Sequence, residues 1–280
     1  MTSLSIKQTL HESLSVVFRD WHFFASVIFG PVIITSGALM ALWGAAASET
    51  GRLTTAFALF AFIVVWELAS VRLAVCCHRF ILLGEQPGSL MHACSWTMRD
   101  TWFALYILVI ANFAGFIVFL TRLSIAGLSA MLANLSNPLV LVLNVLGLAT
   151  AFLLPAYING RLSLILPATA IDRRPVKGWM DWAWSQSAGN EWPLMVLIGI
   201  IPFLGLVLVN IITIVLFELA TQQSVLLAVL IFGLAWALFF ASTAFAVAVL
   251  SLSFKHLSPS VSEGNPIPFG TSNTMGVPAV

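Results

Sequence analysis

Charge is what this sequence has least of. Of 280 residues, 12 are Lys or Arg and 11 are Asp or Glu, which makes 8% charged against 60% hydrophobic. A soluble domain carries about 25% charged residues. The shortfall excludes a chain that covers a water-facing surface with charge. A net charge of +1 also excludes the basic footprint that nucleic acid requires. Cysteine is scarce too: Cys76, Cys77 and Cys94. An adjacent Cys-Cys pair is not the C-x-x-C spacing of redox or zinc motifs. Cys76, Cys77 and His78 are consecutive, so on a helix they point about 100° apart and cannot converge on a metal. The chain has no P-loop, no G-x-G-x-x-G after a strand, no H-E-x-x-H and no G-x-S-x-G, so nothing nominates a nucleophile, a metal or a cofactor. The start, "MTSLSIKQTLHESLSVVF", lacks a basic segment followed by an apolar core and a small-residue cleavage site, so no removable signal peptide is expected.

What the sequence has instead is long apolar runs. A run of about 18 or more residues reads as a membrane helix, because about 20 residues at 1.5 Å each span the hydrocarbon. Six such regions are present, at roughly 22–46, 53–76, 102–121, 138–160, 193–217 and 224–252. Backbone groups in lipid must be satisfied internally, which leaves helices or a closed barrel. These runs are long and do not alternate, so they predict helices. The expected fold is an all-α integral membrane protein with six transmembrane helices.

The few charges are placed asymmetrically. In a six-span chain Lys7, Arg19, Arg79, Arg99, Arg173, Arg174, Lys177 and Lys255 fall on one side, and Arg52 and Arg122 on the other. Positive charge in short loops marks the cytoplasmic side. Both termini are therefore expected in the cytoplasm. The cysteines lie towards that reducing side, where disulfides do not persist.

The chain also repeats. Residues 9–24 set over 89–104 align Leu10 with Leu90, Ser15 with Ser95, Arg19 with Arg99, Asp20 with Asp100 and Phe23 with Phe103. Further on, Arg72-Leu73 aligns with Arg161-Leu162, Pro87 with Pro175 and Trp96 with Trp184. Pro87, Pro175 and Pro259 each follow the second long helix of a pair. The inferred unit is a short amphipathic interfacial helix, a membrane helix, a tight outer loop and a long membrane helix running past the cytoplasmic interface, which in the first unit stops at Gly84 and Pro87. Three units, at about 4–86, 87–174 and 175–258, make one six-helix membrane domain. In the first short helix Leu10, Leu14, Val17, Phe18 and Trp21 share a face, away from Lys7, His11 and Arg19. Val176, Trp179, Ala183, Trp184 and Ser187 share one in the third. The tail, 259–280, is rich in Ser, Pro, Gly and Asn and reads as a disordered cytoplasmic extension.

Two groups of residues are candidates for a site. Glu67 lies about 21 Å into the second span. A carboxylate there is costly unless paired, protonated or met by water. Arg72 follows it by one and a half turns, and Arg161 holds the matching place in the second unit. The three are read as a proton- or ion-linked polar pathway, as a structural ion pair, or as an Arg snorkelling to phosphate. The second group is Arg173, Arg174 and Lys177 with Trp179, Trp182 and Trp184, a composition suited to anionic headgroups.

Two stretches carry a resemblance: "CHRFILLGE" (77–85) and "RLSLILPATAIDRRPVKGWMDWAWSQSAGNEW" (161–192). The pattern is Leu166-Pro167-Ala168, Asp172-Arg173, then Trp184, Ser187, Gly189-Asn190 and Trp192. It resembles a loosely defined group of uncharacterised bacterial multi-span inner-membrane proteins, similar to the membrane domain of glycerophosphoryl diester phosphodiesterases. The resemblance implies a membrane fold and no activity, since the catalytic domain has no counterpart here. The expectation is a non-enzymatic membrane protein that binds membrane lipids or another integral membrane protein, as scaffold or accessory subunit. The alternative is a small transporter or lipid-handling protein with a polar cavity around Glu67, Arg72 and Arg161.

Overall fold

The computed structural model of the chain describes residues 3–47, 52–85, 96–132, 137–172, 178–221 and 225–258. Among them there are helices and no strand. Helix α1 is Ile6–Arg19, α2 Trp21–Ala47, α3 Arg52–Leu83, α4 Met98–Leu132 and α5 Asn137–Leu162. Two short helices follow, α6 Ile165–Ala170 and α7 Trp179–Gln186. Then α8, Glu191–Leu194, passes through a π-helical turn, Met195–Ile200, into α9, Ile201–Thr221, and α10 is Val225–Leu257. Six of these stretches are long and apolar enough to cross a membrane: Trp21–Leu42, Leu53–Leu83, Met98–Gly127, Asn144–Ala170, Glu191–Leu216 and Gly233–Leu257. The architecture is that of an all-helical, multi-pass membrane protein.

The helices outrun the hydropathy. The span expected over 102–121 is part of a helix from Met98 to Leu132, and the span expected to end at 76 continues to Leu83. Hydropathy marks where side chains suit lipid, whereas backbone bonding continues wherever no Pro or Gly stops it. Gly84 stops α3, with φ of +71° and its N–H donated to Phe80 O at 2.9 Å. The end of α5 has a different cause. Pro167 has no N–H to return to Ser163, and the Ser163 carbonyl instead accepts from Leu166 N at 2.9 Å. The chain therefore turns at Ser163 and Leu164 and resumes as α6.

Consecutive long helices pack as antiparallel pairs: α2 with α3, α4 with α5, and α9 with α10. Each pair has a hairpin end, next to residues 48–51, 133–136 or 222–224, and a junction end, where the pairs meet one another. Burial is concentrated at the junction end. The first core cluster joins Phe23 and Phe24 of α2, Val71, Leu73 and Val75 of α3, Phe103 of α4 and Phe240 of α10. A second joins Leu4, Leu164, Leu194, Leu197, Val249 and Phe254, and a third Tyr106, Ile110, Ile158, Leu162, Ile165 and Ala183. The hairpin ends present Phe57, Phe60, Leu123, Leu148, Leu208 and Ile214 outwards.

Small residues let the pairs approach. A Cβ on Gly199 would lie 2.8 Å from the Ala156 carbonyl oxygen, and one on Gly160 would lie 2.9 Å from the Leu194 backbone. Ala156 and Gly160, four apart on α5, form a small-x-x-x-small pair, and Gly199 meets Ala156 from the π turn, so the backbones touch where no water drives association.

Of the three stretches expected to form interfacial helices, the first is helical as α1, and most of the third as α7, Trp179–Gln186. Of the second, residues 89–95 lie outside the described residues, as do Cys94, the three junction prolines and the tail 259–280.

Candidate functional site

The polar groups of the chain gather at the junction end, where each helix pair meets the start of the next. Arg72, on α3, donates through Nη1 to Asp100 Oδ1 at 2.9 Å. Asp100 is fully buried. Its other oxygen accepts from Thr97 N at 2.7 Å and Thr97 Oγ1 at 2.6 Å. Those two bonds serve the first turn of α4, whose backbone N–H groups have no partner within the helix. One carboxylate thus starts one helix and neutralises the cation of another.

Arg161, at the end of α5, is held differently. Its Nε donates to Ser187 Oγ at 2.8 Å, Nη1 to Tyr157 Oη at 2.9 Å and Nη2 to the Trp184 carbonyl at 2.7 Å. Its guanidinium carbon lies 3.8 Å from the Trp184 ring centroid, a cation–π contact. Glu191 Oε1 lies 3.8 Å from Nη2. Like Arg72, Arg161 reaches forward to the start of the next pair.

The third cluster sits between these two. Arg79 Nε donates to Glu85 Oε2 at 2.7 Å and its Nη1 to the Ala170 carbonyl at 3.0 Å. Asp172 Oδ2 lies 3.5 Å from Arg79 and 3.4 Å from Arg99. Asp172 has φ of +58°, a region that Asp tolerates better than most side chains. Deeper in the core, His78 and Ser251 bring Nδ1 and Oγ to 2.7 Å between α3 and α10.

The first and last described segments are both tied into the same end of the bundle. Leu4 N donates to the Asn190 side-chain carbonyl at 2.7 Å. Ser258 Oγ donates to Gln186 Oε1 at 3.0 Å. His256 Nε2 lies 2.9 Å from Glu12 Oε2. The Gln8 side-chain amide holds the Glu12 carboxyl below the usual carboxylate range; burial opposes this and His256 assists it.

The expected polar trio is not one site. Arg72 closes on Asp100 and Arg161 on its own cage, and among the described residues no ion pair includes Glu67. Glu67 is exposed on the outside of α3. The groove that Arg72 lines includes neither Glu67 nor Arg161. The partner that sequence reasoning missed is Asp100. Its alignment with Asp20 in the repeat marked the position, but its pairing to Arg72 is a tertiary fact.

Arg173, Arg174 and Lys177 lie outside the described residues. The three tryptophans beside them pack on the bundle to different degrees. Trp179 meets Tyr106 edge-on at 4.9 Å, Trp182 approaches Phe254 at 6.4 Å, and Trp184 covers Arg161 while 42% exposed. The quoted motif residues also acquire roles. Pro167 turns the chain, Asp172 pairs two arginines, Trp184 and Ser187 hold Arg161, and Asn190 ties down Leu4. Cys77 is buried and Cys76 partly so, both as free thiols. Among the described residues no group of His, Cys, Asp and Glu could hold a metal ion.

Compared with family models, curated proteins and solved structures, the chain matches none of them.

Proposed function

We propose that this is a non-enzymatic protein of the bacterial inner membrane that binds lipid or a membrane-protein partner, as a scaffold or accessory subunit. The observation that carries this reading is the direction α1 faces. Its hydroxyl side chains, Thr9 and Ser13, are buried against the bundle and bond back to Ser5 and Thr9 carbonyls. Of its apolar side chains, Ile6, Leu10, Val16 and Val17 pack against the bundle, whereas Leu14 and Phe18 are exposed, as is Trp21 at the start of α2. In water that second apolar patch is left uncovered. At a bilayer boundary it enters the lipid. Trp184 on α7, and the neighbouring Arg173, Arg174 and Lys177, extend the same interfacial belt.

Glu67 supports the partner half of the reading. A charge within the hydrocarbon is worth about 3 kcal/mol against insertion. On the outer face of α3 that charge is available to a donor on a neighbouring protein. The transporter alternative needs Glu67, Arg72 and Arg161 around one cavity, and no observation favours it.

The forward reach of Arg72 and Arg161 supports three repeated helix pairs, each begun by an interfacial helix. The junction end carries most of the basic residues, so it and both termini face the cytoplasm. The resemblance to the membrane domain of glycerophosphoryl diester phosphodiesterases accords with this location. Reporter fusions within 48–51, 133–136 and 222–224 should read periplasmic, and fusions near 90 and 180 cytoplasmic. For binding, the chain is taken from cells in native lipid discs, and its lipids and proteins are identified by mass spectrometry. Phe18→Ser should lower lipid retention, and a photo-crosslinker at Val64, one turn from Glu67, should label one partner protein. Retention of neither lipid nor protein above that of an unrelated six-span control defeats the proposal.

A further inference from the structure

Between Ser26–Ile34 of α2 and Val65–Cys76 of α3 the first helix pair leaves a groove of about 570 Å³, open along one side. Its walls are apolar: Val27, Ile34, Val65, Leu68 and Leu73. It exists because of a small residue. A Cβ on Gly30 would meet nothing within 4 Å, so the space beside it is unfilled. At the junction end the groove is polar, with Arg72, Ser26 and Trp96 on its lining.

Helix geometry fixes its depth. Nineteen residues separate Leu53, where the span begins, from Arg72, a rise of about 28 Å. The hydrocarbon is about 30 Å thick. Counted from Leu53, Arg72 stands at headgroup level, and the groove runs from there about 12 Å inwards to Ile34. That length is short for a partner helix, which is itself about 10–12 Å wide and some 20 residues long. It suits the upper part of an acyl chain. Asp100 balances the Arg72 charge, so what the mouth offers a phosphodiester is the donor-rich guanidinium, with five N–H groups. A guanidinium binds phosphate oxygens through planar N–H donors, and the bond to buried Asp100 fixes where this one stands. Trp96 is 41% exposed, with its indole N–H donated to Thr101 Oγ1 at 2.9 Å, at the level where tryptophans favour the interface.

We infer that the groove seats one acyl chain of a membrane phospholipid, with the headgroup phosphate at Arg72. This rests on the lipid-binding reading above and gives it a place. The test uses the full chain in nanodiscs of phosphatidylglycerol, delipidated stepwise and weighed by native mass spectrometry. Gly30→Leu fills the groove without a clash. Gly37→Leu, two turns further along α2 and also facing open space, makes the same change outside it. Wild type and Gly37→Leu should keep one phospholipid after the annular lipids have gone, and Gly30→Leu should retain it about tenfold less. Diacylglycerol, which lacks the phosphate, should be retained no better by wild type than by Gly30→Leu. Equal phospholipid retention by all three proteins overturns the groove while leaving the lipid reading intact. Loss of every lipid from wild type and Gly37→Leu alike breaks the lipid reading itself. Should Gly30→Leu fail to fold, phosphatidylglycerol with a photoreactive acyl chain is used on wild type. Adducts concentrated on Ile34, Leu68 and Ala69 support the site, and adducts spread evenly over the exposed faces overturn it.

Discussion

The two ends of this molecule are held together by different physics. At the junction end, buried Asp100 starts α4 and neutralises Arg72, and Arg161 is bonded on three sides. These polar groups are placed by one another, as in the core of a soluble protein. At the hairpin end the helices meet along pairs and present Leu, Ile and Phe outwards. Lipid is as apolar as those side chains, so covering them gains little, and close contact has to come from small residues. The consequence is an uneven distribution of stability: high and specific at one end, low and tolerant at the other.

The sharpest way to break that contrast is to remove Asp100. Asp100→Ala leaves the Arg72 cation without its carboxylate and the Thr97 N–H without its cap, and breaking a buried pair from one side costs about 3–5 kcal/mol. Denaturant unfolding in detergent should show it, with Leu208→Ala at the hairpin end as the control. Leu208 is 59% exposed, so its loss should cost about 0.5 kcal/mol or less. Comparable losses at the two sites would dissolve the distinction.

The next test asks whether close backbone approach matters where the pairs meet. In Gly199→Val the new Cβ would overlap the Ala156 backbone, and overpacking of this kind costs about 1–3 kcal/mol. Gly233→Val, in α10 with nothing within 4 Å of its Cβ, should be close to neutral. If both variants unfold alike, the crossing of α5 with the π turn is not a close one.

These contrasts were only partly legible in the sequence. The six spans were, because lipid demands uninterrupted apolar helices and the runs are long. The stop of α3 at Gly84 was too. Other ends were not: α4 starts at Met98, before its apolar run, and the turn at Ser163 depends on where Pro167 leaves a carbonyl. Arg72 and Arg161 stood out as charges near apolar runs, and their shared position between units was readable. Their partners were not: Asp100 is 28 residues from Arg72 and Ser187 is 26 from Arg161, distances no helical period spans. Glu67 misled because sequence proximity to Arg72 suggested a pair. The two sit five residues apart, and only offsets of three or four share a helix face.

Glu67 offers a smaller but cleaner test, since it is a charge outside the junction. Glu67→Gln removes the charge and breaks no ion pair of the described residues, so stability should move by about 0.5 kcal/mol or less. A loss of several kcal/mol would mean that Glu67 is held within the chain, and the partner reading would fall. Lower crosslinking at Val64 with unchanged stability would support that reading.

The smallest expected effect lies where α1 meets the end of α10. Glu12 and His256 stand 2.9 Å apart with side chains 34% and 36% exposed, so water screens the pair and its contribution is about 0.5 kcal/mol or less. The sign of its pH dependence is nevertheless defined. Gln8 first, and His256 with it, lower the Glu12 carboxyl below its ordinary value of 4.5 in the folded chain. The folded state then binds fewer protons than the unfolded state in the interval between the two values. The contribution is complete above 4.5 and is lost as pH falls through the lowered folded value. Wild type should therefore exceed Glu12→Gln in stability at pH 7 by a small margin that shrinks on acidification below 4.5. A margin that grows as pH falls would mean that the Glu12 carboxylate is a burden to the fold, and that α1 is held to α10 by its packing, with Ile6 and Leu10 beside the cluster of Val249 and Phe254, and without help from this pair.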